Sequence, residues 1–156
     1  MIAVVQRVHE AACVVDGQVV GACGKGLLVF VGARKEDTER DAAKLADRII
    51  GIRLFEDEAG KINLNLADAT GQQSEANLLV ISNFTLYGDA WASRRPSFMR
   101  AAGFDHGQAM YQSFLGELRR LGGRVEEGIF GAEMRIQAVN DGPVTMIIHT
   151  DDLGES

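Results

Sequence analysis

Three hydrogen-bonding side chains interrupt the most hydrophobic strand predicted in the chain. Ser82, Asn83 and Thr85 lie within residues 77–87, which are otherwise mostly apolar. Simple alternation along a strand is one interpretation, with Asn83 and Thr85 on one face and Ser82 and Phe84 on the other. A binding site is the second interpretation, because a buried polar cluster must find hydrogen-bond partners.

A second polar segment, Asn140-Asp141-Gly142-Pro143-Val144-Thr145, precedes the last predicted strand. The Asp-Gly pair strongly favours a turn, and an ordinary turn is the simplest interpretation. However, Pro143 is one of only two prolines in the chain. An X–Pro bond can be cis, so the segment is also a candidate for a specialised backbone element.

The usual catalytic motifs are missing from the sequence. The three histidines, His9, His106 and His149, are far apart, and there is no HExxH motif or Cys/His cluster that would bind a metal. No GxSxG, P-loop or GxGxxG pattern is present. The motifs therefore indicate neither a metal nor a cofactor.

Composition limits the class of protein. The chain has 156 residues, of which 46% are hydrophobic and 24% charged, as expected for one soluble globular domain. It has no apolar run near the 20 or so residues that span a bilayer and no signal-peptide pattern, so we expect a cytoplasmic protein without a membrane partner. The net charge of −6 argues against a broad, non-specific nucleic-acid binder.

The two cysteines flank a predicted hairpin. Asp16-Gly17 is typical of a two-residue turn between strands. A regular register places Cys13 opposite Val20 and turns Cys23 to the other face of the hairpin. We therefore predict two free thiols and no disulfide.

The remaining patterns predict an α+β fold in a single domain. Thr38 and Asp41 form a capping-box pattern before a helix that ends near Gly51, and a second helix runs from Asp105 to the Gly122-Gly123 pair. Strands are predicted at residues 2–15, 18–23, 27–31, 52–55, 77–87, 124–129, 133–139 and 144–149. Strands and hairpins dominate, so we expect a largely antiparallel, barrel-like β-sheet with two helices in domain 1–149, followed by a short acidic tail, 150–156.

The sequence resembles the D-aminoacyl-tRNA deacylase family, whose members are proofreading hydrolases that free tRNA from D-amino acids and from mischarged glycine. The resemblance runs from Met1 to about His149. It is carried by several motifs in the family's order and spacing, namely residues 3–8, 24–29, 53–57, 60–64, 82–87, 94–98 and 140–145.

The resemblance implies a homodimer with the active site at the subunit interface. Gly142 and Pro143 are expected to form a cis peptide that enters the partner's pocket, where backbone carbonyls hold the substrate amino group and exclude an L side chain. Asn140 and Thr145 would support the pocket. For Arg7, orientation of the Gly-Pro element and a plain surface position are equally weighted alternatives.

The resemblance also implies a mechanism without a cofactor. Backbone N–H groups around Phe84 and Thr85 would stabilise the oxyanion, and the ribose 2′-OH of the tRNA would help to activate water. Ser82 would position the substrate, and Thr85 as a covalent nucleophile is the less favoured role. Asn83 stands where the family usually has glutamine, so a tRNA-binding relative with altered or lost activity is the alternative. A hydrolase of another small ester is a third hypothesis.

One loop mixes an aromatic side chain with repeated positive charge. Arg94 and Arg95 are candidates for contact with the acceptor 3′ end of an aminoacylated tRNA, the expected partner. Trp91 either stacks on the terminal base or packs the loop, and packing is slightly favoured. An acidic protein with positive charge confined to this loop would bind only the acceptor end of the tRNA.

Overall fold

The computed structural model describes residues 1–71 and 73–154, so Gln72 of the predicted 71–76 loop lies outside the described residues. The strands are β1 (Ile2–Val15), β2 (Gln18–Cys23), β3 (Gly26–Gly32), β4 (Phe55–Glu56), β5 (Ile62–Leu64), β6 (Leu78–Ser82), β7 (Val125–Glu127) and β8 (Arg135–His149). The α-helices are α1 (Glu39–Gly51), α2 (Leu66–Thr70) and α3 (Phe104–Arg120), and short 3₁₀ segments span Phe84–Tyr87 and Thr150–Asp152. Within these described ranges, no helix is long and apolar enough to cross a membrane.

The main sheet is built around β1. Its strand order is β2-β1-β3-β6-β7, and β8 pairs with the other edge of β1. All pairings of β1 are antiparallel, whereas β6 is parallel to both β3 and β7. The barrel nearly closes where β2 meets β7, since a Cβ atom on Gly21 would lie 2.4 Å from the carbonyl oxygen of Glu127. The prediction of a barrel-like, largely antiparallel sheet is confirmed.

The two long helices pack together over the sheet. The predicted capping box of α1 is present: the Asp41 carboxylate accepts hydrogen bonds from the Thr38 N–H (2.9 Å) and hydroxyl (2.8 Å). The core between helices and sheet includes Leu45, Ile49 and Phe114, all fully buried. The apolar periodicity of both helices therefore located the core correctly.

The helix count and two helix boundaries differ from the prediction, and of the predicted strand 52–55 only Phe55 lies in a strand, β4. The third helix, α2, is a single short turn whose N-terminal Asn65 side chain accepts from the Asp68 N–H at 2.9 Å. Helix α1 includes Gly51, with Ile52 as its C-cap, and α3 starts one residue earlier than predicted, at Phe104. A five-residue helix leaves too few apolar positions for a periodic pattern, so only its capping asparagine signals it.

The predicted hairpin register is wrong at its outer end. A β-bulge between Cys13 and Val14 pairs Cys13 with Gly21 and Ala11 with Cys23. Opposed residues share a face, so both cysteines point into the same small buried cluster, not to opposite faces. Both thiols are free, as predicted.

The last two predicted strands form one strand. Both halves of β8 pair with β1, with Thr145 opposite Gln6 and Asn140 opposite Val8. Residues 141–144 therefore lie opposite Arg7 alone and loop out of the ladder as a wide bulge. An ordinary turn was the simplest interpretation here because Asp-Gly favours a change in backbone direction, but the chain continues along the same neighbour.

The chain ends are tied together by buried charges. The α-amino group of Met1 lies 2.8 Å from Asp37 Oδ1 and donates to the Thr150 hydroxyl. Arg34 bonds Asp37 at 3.0 Å and also pairs with Asp151, which follows β8. The start of segment 150–156 thus packs against the N-terminus.

Candidate active site

A cavity of about 620 Å³ opens where β3 and β6 end and α3 begins. It is lined by Met1, Phe30, Val31, Gly32, Ala33, Ile81, Ser82, Asn83, Phe84, Ala102, Gly103, Phe104, Gly107, Tyr111, Phe130, Gly131, Ala132, Met134 and Ile136. Five of these residues are aromatic, and the polar side chains of Ser82 and Asn83 lie at one side. An apolar cavity of this size with a few polar groups is typical of a small-molecule site.

The Ser82–Thr85 segment sits at the end of a strand and not in its middle. Strand β6 stops at Ser82, the Asn83 N–H donates to the Val31 carbonyl at 2.8 Å, and the chain then turns through a 3₁₀ segment. The interpretation as simple strand alternation is therefore wrong. The turn exposes polar groups that a continuing strand would have committed to the sheet.

Within this turn, one backbone donor is occupied and one is free. Asn83 Oδ1 accepts from the Thr85 N–H at 3.2 Å and from the Thr85 hydroxyl. In the described part of the chain, the Phe84 N–H and the Ser82 hydroxyl have no hydrogen-bond partner. Ser82, Asn83 and Phe84 line the cavity, whereas Thr85 does not.

Aromatic contacts shape the walls of the cavity. Phe84 packs edge-to-face on Phe98 with ring centroids 5.3 Å apart, and Phe104 packs in the same way on Phe130 at 5.2 Å. The Tyr111 hydroxyl donates to the Val80 carbonyl at 2.8 Å, and burial raises the pKa of Tyr111. Tyr111 therefore stays protonated at neutral pH and serves as a wall of the cavity.

The Gly142–Pro143 peptide bond is cis and lies at the tip of the bulge in β8. Asn140 closes the base of the bulge: its Oδ1 accepts from the Val144 N–H at 3.0 Å and its Nδ2 donates to the Val144 carbonyl at 3.3 Å. The same Nδ2 reaches the Thr145 hydroxyl at 3.3 Å. The asparagine amide thus substitutes for the strand pairing that the bulge interrupts.

Arg7 lies buried beneath the bulge. Its side chain is 5% exposed, Nη1 donates to the Leu54 carbonyl at 2.7 Å, and Nε donates to the Asp141 carbonyl at 3.1 Å. Asp141 also presents Oδ2 to Nε at 3.2 Å. The surface alternative for Arg7 is therefore wrong, because the guanidinium ties the bulge to the loop before β4.

The cavity and the bulge of one chain do not meet. Thr145 pairs with Gln6, which pairs with Leu28, while Ser82 is next to Val31. Three residues along a strand and three strand spacings separate them, roughly 10 Å and 14 Å respectively. Neither Gly142 nor Pro143 lines the cavity of its own chain.

An exposed arm, residues 89–100, follows the 3₁₀ segment Phe84–Tyr87 that starts at the cavity. Its base is held by hydrogen bonds between Asp89 and Ser97 (2.7 and 2.8 Å) and by Phe98 against Phe84. The Trp91 side chain is 98% exposed, so the prediction that it packs the loop is wrong. Over residues 1–71 and 73–154, no carboxylate pairs with Arg94 or Arg95.

Comparison with known proteins assigns this arrangement to a family. The family model described as D-Tyr-tRNA(Tyr) deacylase matches residues 4–149. The chain belongs to this family. The resemblance read from residues 82–87 and 140–145 is therefore confirmed.

Curated relatives match this chain along nearly their whole length. The D-aminoacyl-tRNA deacylase of Thermotoga petrophila is 50% identical over 153 residues, covering 98% of this chain and 99% of the relative. That of Geobacter metallireducens is 49% identical over 150 residues, 96% of each chain. The hydrolysis predicted from the sequence is the activity for which these family members are named.

Solved structures share the fold. A c-Myc DNA unwinding element binding protein superposes with a TM-score of 0.85 at 34% identity, covering 96% of this chain and 98% of that one. A probable eukaryotic D-amino acid tRNA deacylase, 16% identical, gives a TM-score of 0.77 over 94% and 97%. At that identity the second comparison supports the fold alone.

Sequence reasoning missed most of the cavity wall. Of its five aromatic residues, only Phe84 was predicted as a site residue, and Phe30, Phe104, Tyr111 and Phe130 were not. The available signal was weak: Phe104 follows Gly103 at the start of α3, and Phe130 precedes Gly131 in the turn between β7 and β8. Their convergence depends on non-local packing.

Proposed function

We propose that this family member hydrolyses the ester bond of D-aminoacyl-tRNA and of mischarged glycyl-tRNA in the cavity beside Ser82. Family membership supports the class of reaction. The observation that supports its location is that Phe84, whose N–H has no hydrogen-bond partner among the described residues, lines an aromatic cavity. We expect the reaction in the cytoplasm, where charged tRNA is used.

The proposed binding site of the terminal adenosine is the aromatic part of the cavity. Unpaired bases are commonly bound by stacking on phenylalanine and tyrosine rings, which form much of this wall. The ester carbonyl would then lie beside Ser82 and Phe84. A volume of about 620 Å³ suits a nucleoside carrying one amino acid.

The cavity lining favours catalysis by the backbone and the substrate. None of the described lining residues is a histidine, cysteine, aspartate, glutamate or lysine, so no side chain there is suited to act as general base. We propose that the Phe84 N–H donates to the oxyanion while the ribose 2′-OH helps water attack the carbonyl carbon. The ester C–O bond then breaks, and the 3′ oxygen leaves with a proton.

This mechanism has a direct test in the substrate. A D-aminoacyl-tRNA with a 2′-deoxy terminal adenosine should not be cleaved, whereas Thr85→Ala and Ser82→Ala should keep reduced but measurable activity. Single-turnover deacylation measures each rate. Full activity on the 2′-deoxy substrate would contradict the proposed role of the 2′-OH.

We further propose a homodimer in which the bulge of one subunit completes the partner's cavity. In the described chain, β8 pairs only with β1, which leaves a long free edge with exposed Met146 and Ile147. Such an edge is normally covered. Carbonyls around Gly142 and Pro143 would hold the substrate amino group and leave no space for an L side chain, while glycine still fits.

Mixed dimers test whether the site is shared. Gly142→Ala should disrupt the bulge, since its Cβ would lie 2.8 Å from Val144 Cγ2 at a φ of +136°. Ala132→Trp should fill the cavity. Each variant alone should be inactive, but equal mixtures after subunit exchange should recover about a quarter of wild-type activity, because half the dimers carry one intact site. No recovery in proven mixed dimers would contradict a shared site.

The exposed arm is the proposed contact with the acceptor end of the tRNA. Trp91 is free to stack on a base, and Arg94 and Arg95 are free to meet phosphates. The double variant Arg94→Ala/Arg95→Ala should lower the slope of log affinity against log salt by about 1.4, at 0.7 per single-strand phosphate contact. Arg48→Ala, on the exposed last turn of α1, is the matched control. An unchanged slope in the double variant would refute the contact.

A further inference from the structure

We propose that Asn83 is a positioning residue that sets which backbone N–H meets the substrate, without contacting the substrate itself. This inference rests on the proposed function of the cavity. It concerns a position where the chain departs from the glutamine of the family that it resembles.

Asn83 is bonded within the turn through most of its polar groups. Its N–H donates to the Val31 carbonyl at 2.8 Å, and its own carbonyl accepts from the Leu86 N–H at 3.4 Å. Its Oδ1 accepts from both the N–H and the hydroxyl of Thr85. The side chain is therefore directed along the chain towards Thr85.

Because of this bonding, the two neighbouring backbone N–H groups, those of Phe84 and Thr85, differ in their availability to a substrate. The Thr85 N–H is occupied by Asn83 Oδ1, so of the two residues only Phe84, which lines the cavity, keeps an available backbone N–H in the described chain. The Thr85 hydroxyl also gives its proton to Asn83 Oδ1. This held geometry explains why the backbone of Phe84, and not the side chain of Thr85, is the reactive feature of the turn.

The length of the side chain is decisive for this role. Asparagine, aspartate and serine carry an acceptor close enough to reach an N–H two residues ahead, which is why they begin turns and cap helices. Glutamine keeps the carboxamide but is one methylene longer and is not favoured there. Serine has the reach without the carboxamide, so the two substitutions separate positioning from direct contact.

Three variants test the inference: Asn83→Ser, Asn83→Gln and Asn83→Ala. Hydrogen exchange of the Thr85 amide, followed by NMR, reports the turn independently of activity, and kcat and KM are measured with D-Tyr-tRNA. We expect Gln and Ala to speed exchange about fivefold, the equivalent of a lost cap. In both, kcat should fall while KM stays nearly constant, and Ser should rescue both exchange and kcat relative to Ala.

The opposite pattern would overturn the inference. If Gln keeps wild-type kcat while Ser preserves slow exchange but loses activity, the carboxamide contacts the substrate. If Gln releases the Thr85 amide with no change in kcat, the turn has no catalytic role. If the wild-type protein shows a protected Thr85 amide but cleaves no D-aminoacyl-tRNA, the proposed function fails, and with it the positioning role of Asn83 in that reaction.

Discussion

Replacement of Arg7 should both destabilise the fold and impair the bulge that carries Gly142 and Pro143. Arg7→Met keeps an apolar stem of similar length but removes every donor. The buried guanidinium contacts the Leu54 carbonyl from one side and the Asp141 carbonyl from the other. Its loss leaves both acceptors without that partner.

The magnitude follows from these two bonds. A hydrogen bond from a charged donor contributes about 1.5–3 kcal/mol. Asp141 is partly exposed, so water can replace part of its bond, whereas the bond to Leu54 is buried. We therefore expect Arg7→Met to lower the free energy of unfolding by about 3–4 kcal/mol. Arg7→Lys should lose about half as much, because one ammonium cannot reproduce the fork that reaches both carbonyls.

Urea unfolding followed by circular dichroism measures the stability, with Arg48→Met on the exposed surface of α1 as the control. Deacylation is then measured at a temperature where each variant is more than 95% folded by its own unfolding curve, about 1.7 kcal/mol of stability or more. Under that condition Arg7→Met should still cleave D-aminoacyl-tRNA more slowly than the control, because the bulge has lost its anchor.

Two results would refute this reasoning. If Arg7→Met unfolds like the Arg48→Met control, the buried contacts do not stabilise the fold. If Arg7→Met is less stable but the folded protein has wild-type activity with unchanged rejection of L-aminoacyl-tRNA, Arg7 does not position the bulge.

Three further outcomes are expected. Asp37→Asn should lower the free energy of unfolding in urea by about 3 kcal/mol, because it leaves the buried α-amino group of Met1 without its charged partner; a loss below about 0.5 kcal/mol would contradict this. Burial raises the pKa of Cys23 to about 11, so neither buried thiol should react with an aromatic disulfide reagent at pH 8 until the protein is unfolded; rapid labelling of the native protein would show the burial to be wrong. The Arg34 hydrogen bond holds the pKa of Asp151 below its usual value, so this pair stabilises the fold above about pH 4 and the effect is lost as pH falls through the folded pKa. Asp151→Asn should therefore flatten the fall in stability below pH 4, and an unchanged acid profile would count against the pair.

Local patterns were sufficient for most elements of the fold. The apolar period of α1 and its Thr38–Asp41 cap, together with the Asp16-Gly17 hairpin, depend on residues close in sequence. They were predicted correctly for that reason. The bulge at Cys13 and the continuation of β8 past Gly142 depend on which strand lies alongside, so a turn and a bulge look alike in the sequence.

In the candidate site, too, the features set by local sequence were predicted and those set by distant contacts were not. The motifs around Ser82 and Gly142 were located, and the polar character of the first was recognised as unusual. The end of β6 at Ser82 and the capping role of Asn83 were missed because an apolar run predicts a continuing strand. Burial of Arg7 could not be inferred either, since its partners, Leu54 and Asp141, are 47 and 134 residues away.

The central claim is chiral hydrolysis of aminoacyl-tRNA in a cavity whose described lining residues include no side-chain base. The most direct measurement incubates the purified protein with D-Tyr-tRNA, Gly-tRNA and L-Tyr-tRNA and follows release of the amino acid. We predict rapid loss of the D-tyrosyl and glycyl esters with the L-tyrosyl ester spared. Equal cleavage of D- and L-Tyr-tRNA, or tRNA binding with no turnover of either, would contradict the account.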